Sequence, residues 1–361
     1  MFLLRIPLSC PSDEALMKVL IDHPNPFLLA HGGFQVQIEQ TRLALESAGV
    51  EVEWLRWWDA AQRGDIIHFF GRPYPAYITL ARERGMKVVI SELLTSMGSR
   101  PTLARMAQKN LIRLCRTLLP SDFTAKMSWD AYQKVDAATA LTDWEKHLMI
   151  TMFDAPPQKV HVIPNGVEEV FFSEPGSSSA SRGDWLVCTA AITPRKRIVE
   201  LAEAAVMART PLWVIGSPYS QEDPYYRRFM EIVHSAGSLL RHEGAISDRA
   251  LMSSVYRQAR GFVLLSGMES QSLSALEASA TGCPLLLTDL PWARSTFGAA
   301  AQYCPVSLSR EDTAERIRNF HEEAYWTKQT FLPKRWTEVS TLLRSLYDQV
   351  VNTPDTNPRR A

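Results

Sequence analysis

A chain of 361 residues exceeds one ordinary hydrophobic core and suits two domains, and with 39 Lys+Arg against 39 Asp+Glu it has no global charge to recommend nucleic acid as a partner. No run approaches the roughly 18 apolar residues of a membrane-spanning helix, and "MFLLRIPLSCP" lacks the length and charged start of a secretory signal. The five cysteines (Cys10, Cys115, Cys188, Cys283, Cys304) are odd in number, far apart and mostly within apolar runs, a pattern of buried thiols in a reducing, cytoplasmic setting rather than of disulfides.

Taken in order, residues 1–16 read as an N-terminal extension upstream of a natural first strand, "MKVLID" (17–22), although "FLLRI" could equally add an edge strand. "AHGGFQVQIEQTRLALESAG" follows. Gly32 and Gly33 precede a helix whose buried face is Phe34, Ile38 and Leu45 and which Gly49 ends, so bare backbone could approach a ligand there or simply make a tight turn. Apolar runs of strand length recur at "VEVEWL" (50–55), "DIIHFF" (65–70), "MKVVIS" (86–91), "AATALT" (137–142) and "VHVI" (160–163), with helical stretches between them. After the weakly hydrophobic "EPGSSSASRGD" (174–184) the order restarts with "WLVCTA" (185–190), "PLWVIG" (211–216), "GFVLLS" (261–266) and "PLLLTD" (284–289). This is βαβ order twice, the pattern of two doubly wound α/β domains. The last helix, "PKRWTEVSTLLRSLYDQVV" (333–351), places Trp336, Val339, Leu342, Leu343, Leu346 and Val350 at helical spacing and must dock, and "NTPDTNPRRA" reads as a loose tail.

The stretch "SGMESQSLSALEASATGCP" carries the chemistry. Glu269 falls at the carboxyl end of "GFVLLS", beside the start of a helix, and Glu277 about two turns into that helix. Crevices beyond strand ends hold small molecules in open α/β sheets, and helix N-termini attract phosphates. Such a carboxylate could accept hydrogen bonds from a diol such as a ribose; taken alone, the pair is as readily a cap and a solvated side chain.

With "KVHVIPNGVEEVFF" (159–172), "ITPRKR" (192–197), "GAISDRALMSSVYRQARGFVLLS" (244–266) and the two glutamates in this order, the chain resembles the family-four glycosyltransferases of the GT-B fold over about residues 17–350. The resemblance implies two Rossmann-like domains facing each other across a cleft, with a nucleoside-diphosphate sugar held mainly by the second and a glycan or lipid-linked acceptor by the first. It implies transfer to a hydroxyl with retention of anomeric configuration, without a metal or other cofactor, in polysaccharide, glycolipid or other glycoconjugate synthesis. By the same resemblance Glu269 contacts the donor sugar, Glu277 the ribose, Ile246 and Asp248 the base, and Lys196 with Arg195 the diphosphate. Gly33 approaches the same phosphates, and Ser272 and Leu273 meet the donor at the helix start.

The segments expected are an extension 1–16, an acceptor-side domain 17–163, a linker 164–184, a nucleotide-sugar domain 185–325, a helical segment 326–351 returning toward the first domain, and a tail 352–361. The pattern is broken at three places. Thr189 and Ala190 stand where a Gly-Arg pair is common, Leu93 (beside Glu92) where a histidine often follows the fourth strand, and Ser272 where a glycine is usual. These departures support an alternative, a degenerate member that binds nucleotide sugar or glycan without transfer. A nicotinamide dehydrogenase is a further alternative, against which no Gly-x-Gly-x-x-Gly follows any strand. An Asp-x-Asp metal pair, as a GT-A enzyme would use, does not occur.

"RPTLARMAQKNLIRLCR" (100–116) has five basic residues and no acid, with Arg105, Lys109, Arg113 and Arg116 on one helical face. It is expected to be a core-packed helix with a solvated basic face, or else a contact with an anionic membrane surface. Trp54, Trp57 and Trp58 are expected to pack between strand and loop.

Overall fold

The structure, a computed structural model, describes residues 17–24, 27, 32–120, 123–124, 126–172 and 182–354. Residues 1–16, the middle of the predicted linker (173–181) and the end of the tail lie outside these. So do Cys10 and the "FLLRI" run.

Two six-stranded parallel sheets form the molecule. The first contains β1 (Lys18–Asp22), β2 (Glu51–Trp54), β3 (Ile66–Phe70), β4 (Lys87–Ser91), β5 (Ala137–Ala140) and β6 (Val160–Val162), in the order β2-β1-β3-β4-β5-β6. The second contains β7 (Leu186–Thr189), β8 (Leu212–Ile215), β9 (Leu240–His242), β10 (Gly261–Leu264), β11 (Leu285–Thr288) and β12 (Gln302–Cys304), in the order β12-β11-β10-β7-β8-β9. Strands inside a parallel sheet are covered by helices on both faces, so β3, β10 and β11 are buried at every residue and read as unbroken apolar runs. Edge strand β2, "EVEW", alternates instead and leaves its ends exposed. The three-residue edge strands β9 and β12 carry too little pattern to be seen in the sequence.

The order of each sheet reverses once, between β1 and β3 in the first and between β7 and β10 in the second. At such a point neighbouring strands send their following loops to opposite faces, and a crevice opens at their carboxyl ends. The chain crosses between the sheets twice, side by side: Val167 N donates to Lys334 O at 2.9 Å, and Trp336 N to Val167 O at 3.3 Å. Gly166 is required there, because a Cβ would stand 2.7 Å from Trp336 Cα. The last helix, Trp336–Asn352, then packs on the first sheet, where Trp336, Val339, Leu343, Leu346, Tyr347 and Val350 cluster with Val19, Leu45 and Ile66. Leu342 stays exposed.

Under this helix lies a buried polar chain. His68 on β3 bonds Tyr347 Oη at 2.6 Å and Ser91 Oγ at 2.7 Å, and Ser91 meets Thr139 Oγ1 at 2.5 Å. Burial lowers the His68 pKa to about 3, so the ring is neutral. Two expectations are corrected. Trp57 and Trp58 are 85% and 68% exposed and stack edge-to-face on each other; they do not pack between strand and loop. The helix Thr102–Leu118 also does not turn its apolar side inward, since of its residues only Ile112 is buried.

Candidate functional site

Glu269, Lys196 and Arg195 meet at the switch point of the second sheet. The loop after β10 carries Glu269, and the neighbouring β7 leads into the short 3-10 turn Pro194–Lys196. Lys196 Nζ pairs with Glu269 Oε1, both side chains being nearly buried at 13% and 10% exposure. Arg195 Nη1 lies 3.4 Å from the same oxygen and donates to Met268 O at 2.9 Å. A backbone bond from Gly267 N to Arg195 O, 2.9 Å, holds the two loops in register. Here a basic turn and a carboxylate share one crevice. Buried beside them, the hydroxyls of Thr193 and Ser266 have no hydrogen-bond partner among the described residues.

The helix Leu273–Ala280 starts four residues beyond Glu269. Ser272 is its N-cap: at φ −75° it needs no glycine, and its Oγ accepts from Ala275 N at 3.3 Å. The usual glycine is thus replaced by a cap without backbone strain. Leu273 faces Gly33 across the gap between the sheets, with Leu273 Cδ1 3.9 Å from where a Gly33 Cβ would stand. Gly32, the residue before the helix Gly33–Ser47, has φ 150°, a conformation open to glycine and rare for others.

Glu277 is buried within the same helix but not solvated or idle. Arg249, the first residue of the helix Arg249–Gln258, donates through Nη2 to Glu277 Oε1 and through Nε to Glu168 Oε2, each at 2.5 Å. Its guanidinium lies over the Phe171 ring, 4.6 Å from the centroid. Glu168 comes from the crossing segment and also accepts from Gln40 at 3.4 Å, so the network joins both sheets. Burial pushes the Glu277 carboxyl above the usual carboxylate range although Arg249 faces it. The sequence reading missed Arg249, which no spacing relates to residues 168 or 277. Ile246 is half-buried against the second core, while the Asp248 carboxylate is engaged in capping, accepting from Ala250 N and Leu251 N at 2.9 and 3.0 Å.

On the first-sheet side, Leu93 leaves no imidazole, and Glu92 is taken up by a bidentate pair with Arg72 (2.8 and 2.7 Å) and by the Tyr132 hydroxyl. Nearby, Glu145 is buried and accepts from Leu94 N at 3.0 Å and Leu141 N at 2.9 Å; burial pushes it up to about 6 against those two bonds. The loop after Glu269 touches this side directly. Thr95 Oγ1 meets Ser270 Oγ at 2.6 Å, and Gln271 Oε1 accepts from Asn165 N at 2.8 Å. A cavity of about 310 Å³ bounded by Leu141, Asn165, Gln271, Thr296 and Phe331 lies at this crossing and includes neither Glu269 nor Lys196.

No family model matches the chain. A curated relative, a D-inositol 3-phosphate glycosyltransferase of Jonesia denitrificans, is 29% identical over 175 residues, 43% of this chain and 41% of that protein, so the match spans less than half of either. Among solved structures the chain is similar to the sucrose-phosphate synthase of Thermosynechococcus elongatus (TM-score 0.65, 16% identity, 92% of this chain and 99% of that one). It is also similar to a glycosyltransferase from Rickettsia africae (TM-score 0.63, 12% identity, 94% and 100%) and to Anabaena HepE solved with UDP and glucose (TM-score 0.60, 13% identity, 92% and 98%). The chain has the GT-B glycosyltransferase fold, as its motifs led one to expect.

Proposed function

We propose that this protein is a glycosyltransferase that moves a sugar from a nucleoside-diphosphate donor to a hydroxyl acceptor, a glycan or a lipid-linked one, with retention at the anomeric carbon and without a metal. The carrying observation is that Glu269, Lys196 and Arg195 meet at the switch point, one short helix away from Glu277. In this reading the donor's pyrophosphate lies on the 194–197 turn and near Gly33, its ribose against Glu277, its base by Ile246, and its sugar against Glu269. UDP, which the HepE structure contains, is the first nucleotide to try. The unpaired Thr193 and Ser266 hydroxyls support a polar ligand here, because buried groups without partners cost about 1–3 kcal/mol each.

The chemistry asks for cations where charge develops. As the bond from anomeric carbon to phosphate oxygen breaks, negative charge builds on the leaving diphosphate, and preorganised Lys196 and Arg195 stabilise that charge more than the ground state. The acceptor oxygen bonds the carbon on the same face, and its proton passes to the departing phosphate oxygen. No protein base is then needed, which accommodates Leu93. With Ala190 in the position of the usual arginine, Lys196 carries more of the burden: Lys196→Ala should lower turnover roughly a hundredfold, and Lys196→Arg should recover part of it. Donor hydrolysis and transfer are measured together, with and without EDTA. The rival reading, a binder that does not transfer, draws on Ala190 itself, and a wild type that binds a donor yet neither hydrolyses nor transfers it would establish that rival.

A further inference from the structure

The helix Thr102–Leu118 is mounted the wrong way round for a soluble surface. At 100° per residue, its buried Ile112 and its half-buried Arg105, Gln108, Lys109, Cys115 and Arg116 mark the side that rests on the protein. Arg105 lies over the Trp144 ring, and Arg116 pairs with Asp154 at 2.7 Å and donates to Trp129 O at 2.8 Å. The opposite side is a stripe of Leu103, Ala107, Leu111, Leu114 and Leu118, spaced four, four, three and four residues apart. Leu103 is 81% exposed, Leu118 69%, and Leu111 and Leu114 more than half. Met106 extends the stripe toward Lys109 and Arg113. Among the described residues no element covers it.

We infer that this stripe is a docking surface for an anionic lipid bilayer. Burying five or six aliphatic side chains in an interface supplies the binding, and the charge pattern selects the lipid: residues 100–118 hold no acid, and of their five basic residues Arg100 and Arg113 are exposed and Lys109 half-exposed, while Arg105 and Arg116 are held against the protein. Arg113, 56% exposed and in a loose, exposed pair with Asp154 at 3.7 Å, and the half-exposed Lys109 flank the same edge, where long cationic side chains reach headgroups while the leucines enter the acyl boundary. The helix begins seven residues beyond Thr95, which touches Ser270 beside the candidate site, so docking sets the crevice close to the membrane surface. The inference is independent of the transferase reading, because it rests on the helix alone.

The test is sedimentation of the full chain with vesicles of phosphatidylcholine alone and of phosphatidylcholine with one quarter phosphatidylglycerol. Wild type should partition into the anionic vesicles. Leu103→Ser/Leu114→Ser/Leu118→Ser, changed only at exposed positions and checked for an unaltered melting temperature, should lose at least about tenfold of that partitioning. Lys109→Gln/Arg113→Gln should lose roughly tenfold of the preference for the anionic vesicles, and that preference should weaken in high salt. A wild type left in the supernatant with both vesicles, or a triple serine variant that sediments as well as wild type, overturns the inference. So does a dimer in light scattering that the triple variant dissolves while vesicles bind neither protein, since the stripe would then be an interface between copies.

Discussion

Removing Arg249 strands a carboxylate. The Glu277 side chain is 9% exposed, and Arg249, itself 38% exposed, is its charged partner at 2.5 Å. Breaking a fully buried pair from one side costs about 3–5 kcal/mol; since Arg249 is over a third exposed, roughly 2–3 kcal/mol is expected for Arg249→Ala. At about 2–4 °C per kcal/mol this lowers the melting temperature by some 5–10 °C. Most of the loss is the lone charge, so Arg249→Ala/Glu277→Gln should regain about half of it, and a double-mutant cycle should return a coupling of about 1 kcal/mol or more. The loss should also depend on pH. Glu277 already has a raised pKa through burial, and without Arg249 it rises further. A raised folded pKa stabilises below it and costs stability as pH climbs through it, so the deficit of Arg249→Ala grows from pH 5 to pH 8. Thermal melts of the four proteins at both pH values are the assay. Equal deficits at pH 5 and pH 8, or a double variant no more stable than Arg249→Ala, would refute the reasoning.

His68 sets a second pH dependence. Its folded pKa of about 3 lies below the ordinary 6.5, so the unfolded chain binds the extra proton and stability falls as pH drops below 6.5, by up to about 1.4 kcal/mol per pH unit. Between pH 4.5 and 6 the raised pKa of Glu145 acts in the opposite sense, but it is shared by His68→Gln, whose melting temperature should therefore decline less steeply than wild type; parallel declines would count against a neutral buried imidazole. Gly166→Ala puts a methyl 2.6 Å from Trp336 Cδ2 and 2.7 Å from its Cα. A loss of about 1–3 kcal/mol in denaturant unfolding is expected, and an unchanged midpoint would mean that the crossing segments part easily.

How much of this was legible in the sequence depended on how far each feature was local. The inner strands announce themselves because burial on both faces demands runs such as "IIHFF" and "FVLL", and Glu269 is placed by the strand just before it. Edge strands β9 and β12, "LRH" and "QYC", are held by one neighbour each and need no such run. Periodicity marks residues 100–116 as a two-sided helix but not which side the protein uses; the docking is decided by Trp144, Asp154 and Trp129, distant in sequence from most of the helix. Arg249 was invisible for the same reason, since only the crossing of the two halves brings Glu168, Arg249 and Glu277 together.

The pairing of Lys196 with Glu269 bears on how a site without the usual arginine could still work. An ammonium has three donors, and Glu269 Oε1 takes one, so two remain for a diphosphate in the proposed site. Glu269 is in turn fixed by the loop that Gly267 N ties to Arg195 O at 2.9 Å. A lysine held in this way loses less freedom on meeting a phosphate than one waving in solvent, and preorganisation of that kind is what electrostatic stabilisation of a leaving group requires. Beside the position of the missing arginine the backbones of two loops pack closely: the Ala190 carbonyl lies so near Gly216 that a Cβ on Gly216 would be 1.9 Å from it. In the proposed site the second cation comes from the 194–197 turn instead, where Arg195 already reaches Met268 O and Glu269. Both charges then ride on one short turn and one loop contact, so the proposed catalytic electrostatics depend on the register between the loops that follow β7 and β10.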